Sequence, residues 1–190
     1  MQKQDEWTLN GNVDYDQFTM VSEAELNSID RFSKDREKTL DPGEPEWFRS
    51  SRGDYQAKWP IIESDGVSRA HLRFRVSSRD PEFPSIGVIY RKAMVGRLDR
   101  ARDSVCHPNP TTAAQFGLPA VVCGTHIHRW SDNRRFVEMS DSFELPARSP
   151  VEDKLDRLDQ MFKWYADEIG LILTNEQRSF REPPRELFAI

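Results

Sequence analysis

Residues 67–77 read Val67-Ser68-Arg69-Ala70-His71-Leu72-Arg73-Phe74-Arg75-Val76-Ser77, and the alternation inside this stretch decides the fold class. Successive side chains of a β-strand point to opposite faces, so Leu72, Phe74 and Val76 share one face while His71, Arg73 and Arg75 share the other. One face forms core and the other is basic. The same period runs through Tyr55, Ala57 and Trp59, with Asp65-Gly66 as the turn of a hairpin. Residues 86–92 and 97–102 read as third and fourth strands joined near Val95-Gly96, an antiparallel meander rather than a series of βαβ units.

Helical signals flank this sheet. Ser22-Glu23-Ala24-Glu25 has the form of a capping box, and Leu26, Ile29 and Phe32 follow at helical spacing, which predicts a short helix over 22–34. Asp41-Pro42-Gly43-Glu44-Pro45 then breaks the chain. Residues 106–119, with Pro108, Pro110 and Pro119, read as loop. Residues 120–130 read as a strand, with 136–139 as a short partner across Ser131-Asp132-Asn133. Ser149-Pro150-Val151-Glu152 offers a cap, a first-turn proline and a capping glutamate. Val151, Leu155, Leu158, Phe162, Tyr165 and Ile169 then form one apolar stripe, which predicts a long amphipathic helix over 150–169. Leu171-Ile172-Leu173 reads as a last edge strand.

The expected fold is therefore α+β: an antiparallel sheet of about five strands, with the long amphipathic helix and the shorter N-terminal helix packed on one face. The expected organisation is a polar N-terminal arm over 1–19, one α+β domain over 20–173 and a C-terminal tail over 174–190. Trp7 and Phe18 are the residues that would dock the arm. The tail ends in apolar Leu187-Phe188-Ala189-Ile190, a segment suited to docking on the domain or on a second subunit.

A chain of 190 residues suits one domain. Its hydrophobic share of 37% and charged share of 31% point to polar segments around a compact centre. Formal net charge is −5, but residues 67–135 hold twelve Lys/Arg against five Asp/Glu, so a basic centre lies between acidic flanks. No run approaches the ~20 apolar residues of a membrane-spanning helix, so no membrane role is expected. Cys106 and Cys123 are too few for a disulfide scaffold, and no secretory leader pattern is present, so reduced thiols and a cytoplasmic setting are expected.

Chemistry concentrates in Cys106-His107 and His126-Ile127-His128. On a strand, His126 and His128 project from one face while Ile127 enters the core from the other, and a proline-constrained loop brings His107 within reach. Two chemistries use such a set. In the first, His126 and His128 act as general base and general acid on a phosphodiester with His107 assisting, no metal is needed, and Arg91, Arg129, Arg73 and Arg75 contact phosphate. In the second, His107, His126 and His128 hold Zn²⁺ or another transition metal, with Cys106, Asp103 or water as a further ligand, although no carboxylate adjacent on the strand completes a facial triad. The plain alternative is structural: strand histidines hydrogen-bonded to backbone, Asp132 or Asp99. A cysteine nucleophile is disfavoured, because the apolar run Val121-Val122-Cys123 raises a thiol pKa.

Cys106-His107-Pro108-Asn109-Pro110 followed by Gly124-Thr125-His126-Ile127-His128-Arg129-Trp130 resembles a bacterial family of uncharacterised domains with the pattern H-x-N-P, then G-x-H-I-H-R. The resemblance covers about residues 20–173 and implies no known activity. More faintly, the order of strand, arginine, loop histidine and histidine-rich strand resembles the TumE-like toxins of toxin–antitoxin pairs. That likeness implies an RNA-directed toxin or defence-associated effector, with His107, His126 and His128 as its site and RNA and an antitoxin as partners. This chain departs from it in having His-Ile-His where those toxins carry a denser histidine run. The leading expectation is a metal-independent RNase-like protein. From another class, a non-catalytic interaction protein, such as a phage-encoded inhibitor or a defence-complex subunit, is the alternative. A transition-metal hydrolase is the third.

Overall fold

The first helix starts where its spacing predicts. The Ser22 hydroxyl accepts from the Glu25 N–H at 3.3 Å while the Glu25 carboxylate accepts from the Ser22 N–H at 3.1 Å, so each satisfies the other's orphan donor. The resulting α1 (Glu23–Lys34) buries Leu26, Ile29 and Phe32 along one stripe. The computed structural model describes residues 21–140 and 142–180. The expected arm over 1–19 and the end of the tail, 181–190, lie outside the described residues.

After α1 come β1 (Lys38–Leu40), β2 (Glu46–Arg49), β3 (Tyr55–Ile62), β4 (Ala70–Val76), β5 (Ser85–Tyr90) and β6 (Ala93–Asp99). Next are β7 (Cys106–Pro108), a 3-10 turn (Thr111–Phe116), β8 (Val121–Cys123), β9 (His126–His128) and α2 (Trp130–Glu138). β10 (Ser149–Pro150), α3 (Leu158–Glu168), β11 (Leu171–Ile172) and α4 (Asn175–Arg178) complete the described chain. Nine strands form one sheet in the order β10-β9-β6-β5-β4-β3-β1-β11, with β2 also on β3, and β7-β8 form a separate two-stranded ribbon. Every pairing is antiparallel except β1 with β11. The sheet exceeds the expected five strands because short segments add at its margins. The eight residues of β3 are long enough to pair with β2 over Tyr55–Lys58 and with β1 over Ile61–Ile62.

Strand alternation sorts the two faces as expected from residues 67–77. Ala57, Trp59 and Ile61 of β3, Leu72 and Phe74 of β4, Ile86 and Val88 of β5 and Leu98 of β6 are all buried. Phe162 of α3 stacks on Trp59 with centroids 5.7 Å apart, and Phe32 of α1 lies 4.9 Å from Tyr90. Phe180, assigned by sequence to the tail, sits 5.0 Å from Phe162 and 5.1 Å from Phe74. The chain through Phe180 therefore belongs to the core, where burying one such ring contributes roughly 2–3 kcal/mol.

Five further expectations need correction. Residues 106–119 are not loop throughout, since Cys106–Pro108 pairs with β8 and Thr111–Phe116 forms a 3-10 turn. Residues 150–169 are not one helix: Ser149–Pro150 pairs with β9, and α3 starts only at Leu158, where the Gln160 side chain accepts from the N–H groups of Asp156 and Arg157. The Ser149 hydroxyl donates to Asp132 instead of capping a helix, and Pro150 sits at the sheet margin, where a missing N–H costs little. Residues 120–130 are two strands in two different sheets, separated at Gly124, whose φ of 73° breaks the extended run. Residues 136–139 fall mainly in α2, not in a strand, because Trp130, Asn133 and Val137 are buried at helical spacing. The β5–β6 turn lies at Arg91, with φ 54°, rather than at Val95-Gly96, which stays inside β6.

Among the described residues, Lys38 is the one buried lysine. It is fully buried on β1, and its ammonium donates to the carbonyls of Phe32 at 3.0 Å and of Asp35, neutralising orphan acceptors at the end of α1. Burial, against the opposing pull of Asp35, drives its pKa down to about 8. A lysine with a depressed folded pKa leaves the unfolded chain holding more protons between pH 8 and its ordinary value, so stability rises with pH across that window. We expect the stability of the wild type relative to Lys38→Met to grow by about 2 kcal/mol from pH 8 to pH 10, measured by urea unfolding at each pH. A flat difference curve contradicts the buried-ammonium account.

Candidate functional site

Register places the histidines. Because cross-strand partners share a face, the pairings Lys58–Arg73–Gly87–Arg97–His128 form one row across β3, β4, β5, β6 and β9. Gln56–Arg75–Ser85–Asp99–His126 form the row beside it. Both rows lie on the face opposite the aromatic core. Ile127 lies between the two histidines and is buried in that core, as its parity requires.

At the β6–β9 end these rows close into a compact polar cluster. The Asp99 Oδ2 lies 3.6 Å from the His126 Nε2 and 3.4 Å from the His128 Nε2. Arg97 donates to Asp99 at 2.6 Å through Nε and to the His128 Nε2 at 3.0 Å through Nη2. The His126 Nδ1 is 2.8 Å from the Gly124 carbonyl, and the His128 Nδ1 is 2.6 Å from the Leu145 carbonyl. A carbonyl only accepts, so the proton of each ring sits on Nδ1. In its neutral form each ring then carries its Nε2 lone pair on the side that faces Asp99. Arginine only donates, which fixes the same tautomer at His128 independently.

Charge states follow from burial and neighbours. Burial drives the His126 pKa below its ordinary value, against the Gly124 carbonyl and Asp99, which raise it. Burial also pushes the Asp99 carboxyl up, but the neighbouring His128 ring and the Arg97 guanidinium outweigh it, so the net direction is down. Among the described residues, Asp99, His126 and His128 are the His, Cys, Asp or Glu side chains whose donor atoms converge on one point, all within 4.8 Å of one another.

The third histidine does approach, but from a strand and not from the expected loop. The His107 ring lies 5.3 Å from the His126 ring, and His126 lies 5.3 Å from His128. His107 is nevertheless outside the converging donor set. It is carried by β7, which a Cys106–Cys123 disulfide ties to β8. Two paired cysteines withdraw the reading of free thiols, the support they lent to a cytoplasmic setting, and Cys106 as a metal ligand. Asp103, the other added ligand considered, lies against the backbone at Gly124 instead.

The expected phosphate contacts divide. Arg73 and Arg75 lie on the histidine face, with Arg75 held by Asp54 at 2.7 Å. Arg129 points to the helical side, where its Nε donates to Glu168 at 2.6 Å. Arg91 sits in the β5–β6 turn over the Tyr90 ring, in a cavity shared with α1. Neither Arg91 nor Arg129 joins the cluster. Sequence reading missed Arg97 and Arg148, and it named Asp99 only as a structural partner of the histidines. Arg97 and Asp99 flank Leu98 as His126 and His128 flank Ile127, a matching pattern that marks the same face on each strand but does not say that the strands are neighbours. Arg148 lines a cavity of about 660 Å³ with Arg97, Met94, Asn109 and Leu145, and its buried Nε has no hydrogen-bond partner.

No helix among the described residues is long and apolar enough to cross a membrane. Comparison with protein-family models, with curated proteins and with solved structures finds no match to this chain. The site must be read from its own geometry.

Asn109, the asparagine of the quoted H-x-N-P run, is the latch of this region. Its amide donates to the carbonyls of Pro119 and Arg148 at 2.8 Å each, and its carbonyl accepts from the Arg148 N–H at 2.8 Å. Asn109→Ala leaves these groups unpaired. The expected loss is about 2 kcal/mol in urea unfolding, with the His107 imidazole resonances shifted in NMR spectra. A loss below ~0.5 kcal/mol contradicts the latch role.

Proposed function

We propose that this protein binds a divalent transition metal ion at Asp99, His126 and His128 and hydrolyses phosphate esters with it. One observation carries the reading: both imidazoles donate Nδ1–H to backbone carbonyls, leaving two Nε2 lone pairs and a carboxylate converging on one point. Metal-ligating histidines are oriented by this kind of outer hydrogen bond. A carboxylate from the neighbouring strand supplies the ligand that seemed to be missing, and three protein ligands leave a position for water. Arg97 holds this point with its guanidinium, donating to the Asp99 Oδ2 and the His128 Nε2, so a metal ion takes its place only when that side chain swings away. Its side chain is 39% exposed, so it has room to turn outward. Zinc is the first choice of metal for hydrolysis, since a bound ion lowers the pKa of water and polarises a phosphoryl oxygen.

Phosphate is the favoured substrate group because Arg97 and Arg148 line the adjacent cavity, and the buried Arg148 Nε lacks a partner. Lys58 and Arg73 continue the same row across the open face, which supports a longer polyanion such as RNA. A second reading, metal-independent acid–base cleavage, is favoured by one feature: His107 is only half buried and its ring packs on His126.

Elemental analysis of protein prepared without metal-affinity tags or chelators separates the two. We expect about one zinc or other transition metal per chain, lost in the His126→Ala, His128→Ala double variant, and single-stranded RNA cleavage reduced ~100-fold or more by Asp99→Asn. If metal is absent and Asp99→Asn still cleaves while His107→Ala does not, the acid–base reading replaces this one. RNA cleavage by neither metal-loaded nor metal-free protein removes both nuclease readings.

A further inference from the structure

A second cavity, of about 510 Å³, lies on the helical side of the sheet between α1, α2 and α3. Its walls include Val88, Val95, Ile127 and Trp130, which are apolar and buried. Its charged groups are unbalanced. Asp30 and Glu168 are already engaged, Asp30 by Arg134 at 2.7 Å and Glu168 by Arg129 at 2.6 Å. Lys34 and Arg36 also line the cavity, and among the described residues neither is paired with a carboxylate. Arg36 donates only to the Glu168 backbone carbonyl, at 3.3 Å.

Tyr165 supplies the second observation. It is 1% exposed and lines the same cavity, and its buried hydroxyl, which lies by the Val88 backbone, has no partner in good hydrogen-bond geometry. Gly96 makes room for that hydroxyl, since a Cβ there would come within 2.7 Å of the phenolic oxygen. Buried hydroxyls without partners are uncommon in native folds, and one at the base of a cavity is a ready donor to a ligand.

We propose that this cavity binds a small amphipathic anion: a carboxylate on an aromatic body that carries a second polar atom at its far end. The carboxylate meets Lys34 and Arg36, the body lies against Trp130, Val88 and Val95, and the far polar atom accepts from the Tyr165 hydroxyl. A cavity of this size and composition falls within the usual range for small-molecule sites. His128 also lines this cavity, but the Nε2 atoms of the histidine cluster face Asp99 on the other side of the sheet, so the two readings are tested through different residues.

Calorimetric titration of the full chain with 6-hydroxy-2-naphthoate tests it, beside 2-naphthol, which lacks the carboxylate, and 2-naphthoate, which lacks the hydroxyl. We expect saturable binding of one 6-hydroxy-2-naphthoate per chain, about tenfold or more weaker in the Lys34→Ala, Arg36→Ala variant, and weaker by a similar factor for 2-naphthol. Tyr165→Phe should weaken 6-hydroxy-2-naphthoate while leaving 2-naphthoate unchanged, and should not lower the unfolding temperature, because it removes an unpaired group. Absence of saturable binding overturns the proposal, as does binding that is indifferent to Lys34 and Arg36. Equal effects of Tyr165→Phe on both naphthoates overturn the assigned role of the hydroxyl.

Discussion

Face-sharing across paired strands is the constraint on which the rest of this structure depends. Once Ala57, Trp59, Leu72, Phe74, Ile86 and Leu98 are committed to the aromatic core, the alternate residues of β3, β4, β5 and β6 must occupy the other face. Phe162 and Phe180 pack against Trp59 and Phe74 on the committed face, so a slip of one residue would bury arginines among aromatic rings. Hydrophobic burial thus places Lys58, Arg73, Arg97 and Asp99 without any polar interaction having to select them.

The polar cluster exploits this placement. β9 docks on β6 with His128 opposite Arg97 and His126 opposite Asp99, and each ring is then turned by a backbone carbonyl, one from the break at Gly124 and one from Leu145. Such fixed tautomers hold in a buried setting because an unpaired ring N–H there would be costly. The disulfide-linked ribbon adds His107 at the margin, and Asn109 joins that ribbon to the strand segment that ends in β10. Acceptors from two strands, a guanidinium and a half-buried third imidazole therefore meet through independent backbone constraints.

Several of these features were legible in particular residues. The Ser22–Glu25 box, the Asp65-Gly66 turn and the alternation of 70–76 are local, and local energetics suffices to specify them. The H-I-H spacing gave the correct common face for His126 and His128. Ser149-Pro150-Val151-Glu152 misled because its cap signal competes with a sheet margin and with Asp132, partners distant in sequence. Residues 136–139 misled because a short apolar segment suits either period, and only the burial of Asn133, bonded to Arg129 and Ala147, selects helix.

By itself the sequence determined that an antiparallel sheet would carry one apolar and one basic face, and that two histidines would stand together on one side of a strand. Both follow from the period of two, which is a property of each strand alone. Tertiary structure decided which strands became neighbours: β6 beside β9, bringing Asp99 to His126, and Arg129 turned away to Glu168. It also decided that Cys106 meets Cys123 and that Phe180 is core. The physical reason is that strand order and loop closure depend on how the whole apolar surface is buried, a sum over distant residues that no local spacing contains.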